Sequence, residues 1–306
     1  MTTSAPRAAR PFLKWAGGKT QLLDALVARS PRPAGATYFE PFLGGGALFF
    51  ALIADPERRP RRAVLNDLNR ELITVFEAVR DDPERLAQRL EPLQRRYLAA
   101  DDAGRAELYY ATREQQPRDP LAVAVRLIFL NKTCYNGLYR VNRSGRFNVP
   151  HGRYRNPRIL DCEALTAASL ALRDAELRCE DFEQACAGAC AGDFVYCDPP
   201  FLPVVAGFTS YTQADFGRDD QLRLKWCIDD LTRRGVRVML SDSPHDFVQG
   251  MYEGSRYRLE RLPARRMINS RGDRRGAVDE LVVTNYDPAS YAVALAPASS
   301  AKSSAK

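Results

Sequence analysis

A short apolar run that ends at an acid and two prolines is the feature that most constrains the fold of this chain. The run Phe194–Cys197 has the length of a buried strand, and Asp198, Pro199, Pro200 and Phe201 follow it directly. The prolines fix φ and favour an extended conformation at Asp198. Open α/β sheets bind ligands at the carboxyl ends of such strands. The Asp198 carboxylate and the Pro199 carbonyl, beside the Phe201 ring, suit a planar group that carries an NH2. An acidic turn with a core phenylalanine explains these residues equally well.

A second predicted strand, 37–42, runs into a glycine turn and an apolar helix. The turn Gly44–Gly46 stands between Phe42 and Ala47. A strand, a glycine turn and a helix let the backbone approach a ligand closely. The spacing is Phe-x-Gly-x-Gly and not GxGxxG, which disfavours an NAD-dependent enzyme.

A third predicted strand, 62–65, leads to Asp67, which lies 21 residues after Gly46. An acid about 20 residues beyond a glycine turn can accept hydrogen bonds from ribose hydroxyls. Asp67 can also cap the helix that follows, and the two roles are compatible.

The segment that contains Trp15 and Lys19 has two readings. Gly18, Lys19 and Thr20 imitate the end of a phosphate-binding loop, but Leu13 stands where that loop needs a glycine, so a nucleotide triphosphatase is disfavoured. The segment either lines a cofactor pocket or packs on the core, and its residues alone do not decide between these.

Taken together, six segments resemble the Dam-type DNA adenine methyltransferases, the alpha group of the D12 class. The segments are FLKWAGGK (12–19), FEPFLGGG (39–46), LND (65–67), YNGLYRVNRSGRFNVPHGRY (135–154), VYCDPPF (195–201) and VDEL (278–281). The resemblance implies an α/β fold, a Rossmann-like SAM-dependent methyltransferase sheet with an inserted, mainly helical and loop, DNA-recognition domain. It implies an adenine-specific enzyme that methylates the exocyclic N6 amino group in duplex DNA by base flipping, and around Arg140 it suggests GATC.

The resemblance also assigns roles to individual residues. The expected catalytic residues are Asp198, Pro199 and Phe201. The expected contacts of the cofactor, S-adenosyl-L-methionine, are Trp15, Lys19, Phe42, Gly44, Gly46, Asp67 and Asp198. The expected DNA contacts are Lys14, Tyr135, Asn136, Leu138, Arg140 and Tyr154. Two positions depart from the family: Phe201 stands where tyrosine is usual, and Gly45 replaces a more usual small residue.

Four parts are expected along the chain. Residues 1–10 form a flexible arm, 11–75 and 161–286 form the discontinuous SAM-binding catalytic domain, 76–160 form the target-recognition domain, and 287–306 form a disordered tail rich in Ala, Ser, Pro and Lys.

The charge distribution favours a polyanionic partner. The formal net charge is +7, and from Lys132 to Arg158 there are seven basic residues and no acidic one. Aromatic and asparagine side chains are interleaved with them, which is typical of a surface that binds nucleic acid rather than of a solvated face. The resemblance makes double-stranded DNA the expected partner. A second cluster, 256–275, has eight arginines and remains open to either interpretation.

Composition also bounds cofactors and location. Seven cysteines without a C-x-x-C pair, and two histidines, make a metal site unexpected. No signal peptide or long apolar span is found, so we expect a cytoplasmic protein with reduced thiols, acting at a bacterial nucleoid or encoded by a phage, without membrane contact. A monomer is expected, and a cognate restriction endonuclease is left open. The alternatives are an N4-cytosine methyltransferase, a methyltransferase for a base in RNA, and a catalytically inactive DNA-binding protein of the same fold.

Overall fold

The computed structural model describes residues 8–19, 21–32, 35–202, 216–254, 256–265 and 277–291. The helices and strands in chain order are α1 (Leu23–Arg29), β1 (Thr37–Glu40), α2 (Ala47–Ala54), β2 (Arg62–Asn66), α3 (Arg70–Asp81), α4 (Pro83–Ala99), α5 (Asp102–Glu114), α6 (Pro120–Thr133), α7 (Cys162–Leu172), β3 (Ala175–Arg178), α8 (Phe182–Cys186), β4 (Phe194–Cys197), α9 (Arg218–Arg233), β5 (Arg237–Asp242), α10 (Asp246–Tyr252), β6 (Arg258–Arg265) and β7 (Ala277–Thr284). Short 3-10 turns cover Tyr135–Gly137 and Pro288–Tyr291.

Within the described ranges, the seven strands form one sheet in the order β3-β2-β1-β4-β5-β7-β6. The first five strands of that order are parallel, while β7 runs antiparallel to both β5 and β6. The chain builds outward from β1 to β3 in one direction and from β4 to β5 in the other. The order therefore reverses between β1 and β4, and the carboxyl ends of these two strands form the crevice where open α/β sheets bind ligands. The predicted Rossmann-like α/β sheet is confirmed.

The observed strands differ from the sequence-based ones mainly at β1 and β3, while β2 extends one residue further, to Asn66. β1 ends at Glu40 instead of residue 42, because Pro41 has no N–H to donate to a neighbouring strand. β3 was not expected. It lies at one end of the sheet order and buries only its first residue, Ala175, fully, so it lacks the apolar pattern of an interior strand.

Apolar side chains pack on both faces of the sheet. In β4, Phe194 and Tyr196 enter one cluster, whereas Val195 and Cys197 enter the other, as the alternation of a strand requires. The first cluster continues without a break into α3, α4, α5 and α6. The helices of the expected recognition region thus share the core of the sheet, and the expected boundary at residue 76 falls inside α3.

The two chain ends are described only in part. Arg10 contacts Asp161 at 3.3 Å, and residues 1–7 of the expected arm lie outside the described residues. Arg58 Nη2 donates to the carbonyl of Tyr291 at 3.2 Å, and residues 292–306 of the expected tail lie outside the described residues. The same holds for 266–276 in the second arginine cluster. None of the helices described here is long and apolar enough to cross a membrane.

Candidate active site at the carboxyl edge of the sheet

An ion-pair cluster surrounds Asp198, directly after β4. Oδ1 of Asp198 lies 2.7 Å from Nζ of Lys19, which is 5% exposed. Lys19 also lies 3.3 Å from Oε1 of Glu280 and donates to the carbonyl of Gly17 at 3.2 Å. Burial lowers the pKa of Lys19, but Asp198 and Glu280 raise it by more, so the net pKa is above its usual value. Lys19 therefore remains an ammonium group that fixes one oxygen of Asp198.

The second oxygen of Asp198, Oδ2, has no hydrogen bond or ion pair from the part of the chain that the structure describes. Burial raises the pKa of the Asp198 carboxyl, and Lys19 opposes that shift. The ring of Phe201 is 38% exposed, and its centroid lies 4.6 Å from Lys19 Nζ, whereas Pro199 is buried. An acceptor and an exposed aromatic face thus occur together, as the sequence predicts.

The glycine turn lies on the other side of the crevice, after β1. Gly44 and Gly46 both have left-handed backbones, with φ of 48° and 66°. A Cβ on Gly44 would lie 3.0 Å from Cδ1 of Trp15, so a side chain at this position would press on the indole. The indole of Trp15 therefore packs directly on the Gly44 backbone, which only a residue without a side chain allows here.

Asp67 connects the end of β2 to this turn. Its Oδ2 accepts from the Gly44 N–H at 3.0 Å and its Oδ1 from the Asn69 N–H at 2.9 Å. Asn69 caps α3, accepting from the Leu72 N–H at 3.1 Å, so Asp67 is not the cap that the sequence allowed. Burial raises the pKa of Asp67. A carboxylate has about four acceptor positions, so those not used by backbone N–H groups remain for hydroxyl donors.

Apolar side chains line the same edge. Phe42 stacks on Phe182 with ring centroids 5.4 Å apart, and it meets the edge of Phe216 at 5.7 Å. Leu68, directly after Asp67, is the most exposed of the large apolar side chains described. Sequence reasoning missed Leu68, because a single leucine after an acid carries no pattern.

Glu40 is a second residue that sequence reasoning missed. It is buried, its Oε2 accepts from the Tyr38 hydroxyl at 2.8 Å, and burial raises its pKa to about 8. The nearby Asp198 charge raises this pKa further, whereas the Tyr38 hydrogen bond lowers it. The signal in the sequence was an acid directly after the aromatic pair Tyr38–Phe39, at the end of a buried strand, where an acid is rare without a function or a partner.

The arm before Lys19 is bound to the loop after α6. The Lys14 N–H donates to Oδ1 of Asn131 at 2.9 Å, and Nδ2 of Asn131 donates to the carbonyls of Lys14 at 2.7 Å and Gly137 at 3.1 Å. Nζ of Lys14 lies 5.3 Å from the ring centroid of Tyr154, whose hydroxyl accepts from the Asn136 N–H at 3.1 Å. The structure therefore brings together three of the residues expected to contact DNA, and it adds Asn131, whose side chain joins Lys14 to Gly137.

The other three expected DNA contacts lie on the same loop. Tyr135 and Arg140 are exposed. Nε of Arg140 donates to Oδ1 of Asn148 at 2.7 Å, across the hairpin between these residues. Leu138 is half-buried, and its carbonyl accepts from the Cys134 thiol at 3.3 Å.

Trp15 joins this loop to the glycine turn. Its ring stacks on Tyr139 with centroids 5.2 Å apart, while its edge faces Gly44. The Tyr139 hydroxyl donates to Oε2 of Glu71 at 3.1 Å. Among the described residues, no group of three His, Cys, Asp or Glu side chains is placed to hold a metal ion.

Comparisons with known proteins identify the family. The family model of the D12 class N6 adenine-specific DNA methyltransferases matches residues 15–268. The type II methyltransferase M.MjaIII of Methanocaldococcus jannaschii is 41% identical over 290 residues, which cover 90% of this chain and 99% of that protein. The DNA adenine methylase of Escherichia coli K12 is 35% identical over 283 residues, covering 91% of this chain and 96% of that protein.

Proposed function

Since this chain belongs to the D12 class of N6 adenine-specific DNA methyltransferases, we propose that it methylates an adenine extruded from duplex DNA, with S-adenosylmethionine as the donor. The observation that carries the proposal is the state of Asp198. Lys19 occupies Oδ1, Oδ2 is left to accept, and the exposed ring of Phe201 stands beside them.

The residues around the crevice fit S-adenosylmethionine. Asp67 has acceptors left for ribose hydroxyls, and Phe42 and Leu68 offer apolar surface for the adenine ring. The carboxylates near Asp198 attract a cationic ligand. When bound, S-adenosylmethionine supplies a methyl group on a positively charged sulfur.

Asp198 and Pro199 act on the amino group that is methylated. The N6 lone pair of adenine is delocalised into the ring, which makes the nitrogen a poor nucleophile. Oδ2 of Asp198 and the carbonyl of Pro199 accept the two amino hydrogens, which favours a pyramidal nitrogen and localises the lone pair. Acceptors that are held in place before the reaction stabilise the positive charge that develops on nitrogen. Lys19 holds the carboxylate in position and opposes the rise in its pKa that burial causes.

The base must leave the helix to reach these acceptors. Extrusion costs a few kcal/mol, and stacking on the Phe201 ring offsets part of it. Tyr135, which is exposed on the loop, and Leu138 are suited to fill the gap left in the duplex. Arg140 is exposed and can read a guanine edge with two hydrogen bonds, consistent with GATC as the recognition sequence.

The region 76–160 then serves as the target-recognition domain, and 11–75 with 161–286 as the catalytic domain. The protein acts as a monomer in the cytoplasm, where its DNA substrate is. Relatives carry the names of both DNA adenine methylases and type II methyltransferases, so a cognate restriction endonuclease fits as well as a solitary role.

The test is nucleoside mass analysis of duplex DNA after reaction with S-adenosylmethionine. The wild-type protein should yield N6-methyladenine, and Asp198→Ala should yield none while its affinity for DNA stays nearly unchanged in fluorescence anisotropy. Asp174→Ala, at an exposed acid on the turn before β3, is the matched control and should retain the activity. N4-methylcytosine, methylated RNA or turnover by Asp198→Ala would each contradict the proposal.

A further inference from the structure

A buried acid stands at the end of β5, one strand away from Asp198. Asp242 is 0% exposed. Its Oδ2 accepts from Nε2 of Gln221 at 2.8 Å, and its Oδ1 accepts from the Ser243 N–H at 2.6 Å. Within the described ranges, no cation pairs with Asp242. A buried carboxylate with neutral donors alone bears most of its desolvation cost, which favours the protonated form.

The Ser243 hydroxyl connects this acid to the segment that carries Phe201. Its Oγ lies 3.3 Å from Oδ1 of Asp242 and 3.3 Å from the carbonyl of Leu202, the residue that follows Phe201. A hydroxyl has one proton, so it donates to only one of these acceptors at a time. A neutral Asp242 can donate to Oγ, and the hydroxyl proton then goes to Leu202. An ionised Asp242 is the stronger acceptor, so the Ser243 hydroxyl then donates its hydrogen bond to Asp242 instead of to Leu202.

We propose that Asp242 is a positioning residue for methyl transfer, which acts through Ser243 on the carbonyl of Leu202 and so on the placement of Phe201. The inference rests on the proposed function, because it assigns Phe201 to the extruded base. Asp242 contacts neither substrate in this scheme.

The scheme gives the rate a pH dependence with a defined sign. Burial raises the pKa of Asp242 to about 7, and the Asp198 charge adds to the shift. Below that pH Asp242 is neutral, and the Ser243 hydroxyl donates to the carbonyl of Leu202. Above it Asp242 is ionised, and the carbonyl of Leu202 loses this hydrogen bond. The rate of methyl transfer should therefore fall as the pH rises through about 7.

Few other groups near Asp242 can produce the same change. Asp198 faces it from the end of β4, and Tyr252 faces it from α10 with a pKa well above its usual value. On the α9 side, Asp242 contacts the neutral Gln221, and in the sheet it pairs with Leu281 of the neighbouring strand β7. Among the described residues, burial also raises the pKa of Glu280 on β7 and, to about 8, the pKa of Glu40 near Asp198.

The experiment measures single-turnover methylation between about pH 6 and pH 8.5 for the full chain with duplex DNA. Loss of one hydrogen bond, about 1 kcal/mol, predicts that the wild-type rate falls about fivefold across this range. Asp242→Asn cannot ionise, so its rate should show no such fall. Its new amide N–H can be satisfied by Oε1 of Gln221, which is buried without a partner among the described residues. Calorimetry of S-adenosylmethionine binding confirms that each variant is folded.

Three further variants make the result specific. Ser243→Ala should methylate more slowly than wild type at low pH, and its rate should not fall as the pH rises. Glu40→Gln should still show the decrease in rate with pH. Asp219→Asn, at an exposed acid on α9, should show it as well. A fall that persists in Asp242→Asn, that disappears in Glu40→Gln, or that is absent from the wild type would overturn the inference. A wild-type protein that methylates no adenine at any pH would instead refute the proposed function.

Discussion

Replacement of Lys19 by methionine should destabilise the protein, and the loss should grow with pH. Lys19 is buried between two carboxylates, at 2.7 Å from Asp198 and 3.3 Å from Glu280, whose side chains are 20% and 10% exposed. At an effective dielectric constant of about 20, these contacts correspond to about 6 and about 5 kcal/mol of attraction. Desolvation of three ions offsets much of this, so removal of the cation should cost about 3–5 kcal/mol.

The pH dependence follows from the carboxyl groups that lose their partner. Burial already raises the pKa values of Asp198 and Glu280, and Lys19 holds both down. Without Lys19 both values rise further above those of the unfolded chain, so the folded state prefers the protonated acids. The variant is therefore least impaired at low pH and loses stability as the pH rises through the raised values. Each unit of additional shift contributes about 1.4 kcal/mol per group.

Urea unfolding of wild type and Lys19→Met, at about pH 5 and about pH 8, measures this difference. The control is Lys225→Met, which removes a lysine paired with Asp229 one helical turn away on α9. Such an i,i+4 pair contributes about 0.5 kcal/mol, with little change over this pH range. An equal loss for Lys19→Met at both pH values would refute the electrostatic reasoning.

Three further substitutions test the assigned roles. Arg140→Ala should weaken discrimination at one base pair by about 1–3 kcal/mol without stopping methylation. Sequencing of the methylated positions measures this, and an unchanged pattern would contradict it. Phe201→Ala should lower the rate far more than Phe201→Tyr, because both aromatic rings can stack; equal losses in single-turnover assays would argue against stacking. Asp67→Ala should weaken S-adenosylmethionine binding about tenfold or more in calorimetry, through lost hydroxyl hydrogen bonds and a loosened Gly44 backbone; unchanged affinity would remove Asp67 from the cofactor site.

Local sequence predicted those parts of the site that each lie on one short segment. The strand before Asp198 is an uninterrupted apolar run, and the turn at Gly44 needs residues without a side chain, so both leave a mark in the sequence. β3 left none, because a strand at the edge of the sheet order with charged, half-exposed residues resembles a loop.

Contacts between distant segments could not be read in this way. The bond between Gln221 and Asp242 and the bonds of Asn131 to Lys14 join residues that are far apart in sequence. Lys14, Asn131 and Asp242 each follow an apolar stretch, which marks them as unusual, whereas Gln221 stands among charged residues and carries no such mark. Nothing in the sequence states which partner it has, since that depends on how helices and strands pack.

The hydrogen bonds between Asn131 and the backbone of Lys14 have a consequence for the choice of DNA sequence. Lys19, which pairs with Asp198, comes five positions after Lys14, which is proposed to contact DNA, and even fully extended this stretch spans at most about 18 Å. One end of this segment is hydrogen-bonded to Asn131 of α6, and the other end, Lys19, lies between Asp198 and Glu280. A DNA sequence that fits poorly against Lys14 would strain the segment and move the Lys19 ammonium away from Asp198. Rejection of a wrong site would then appear as slow chemistry on bound DNA, and not only as faster release.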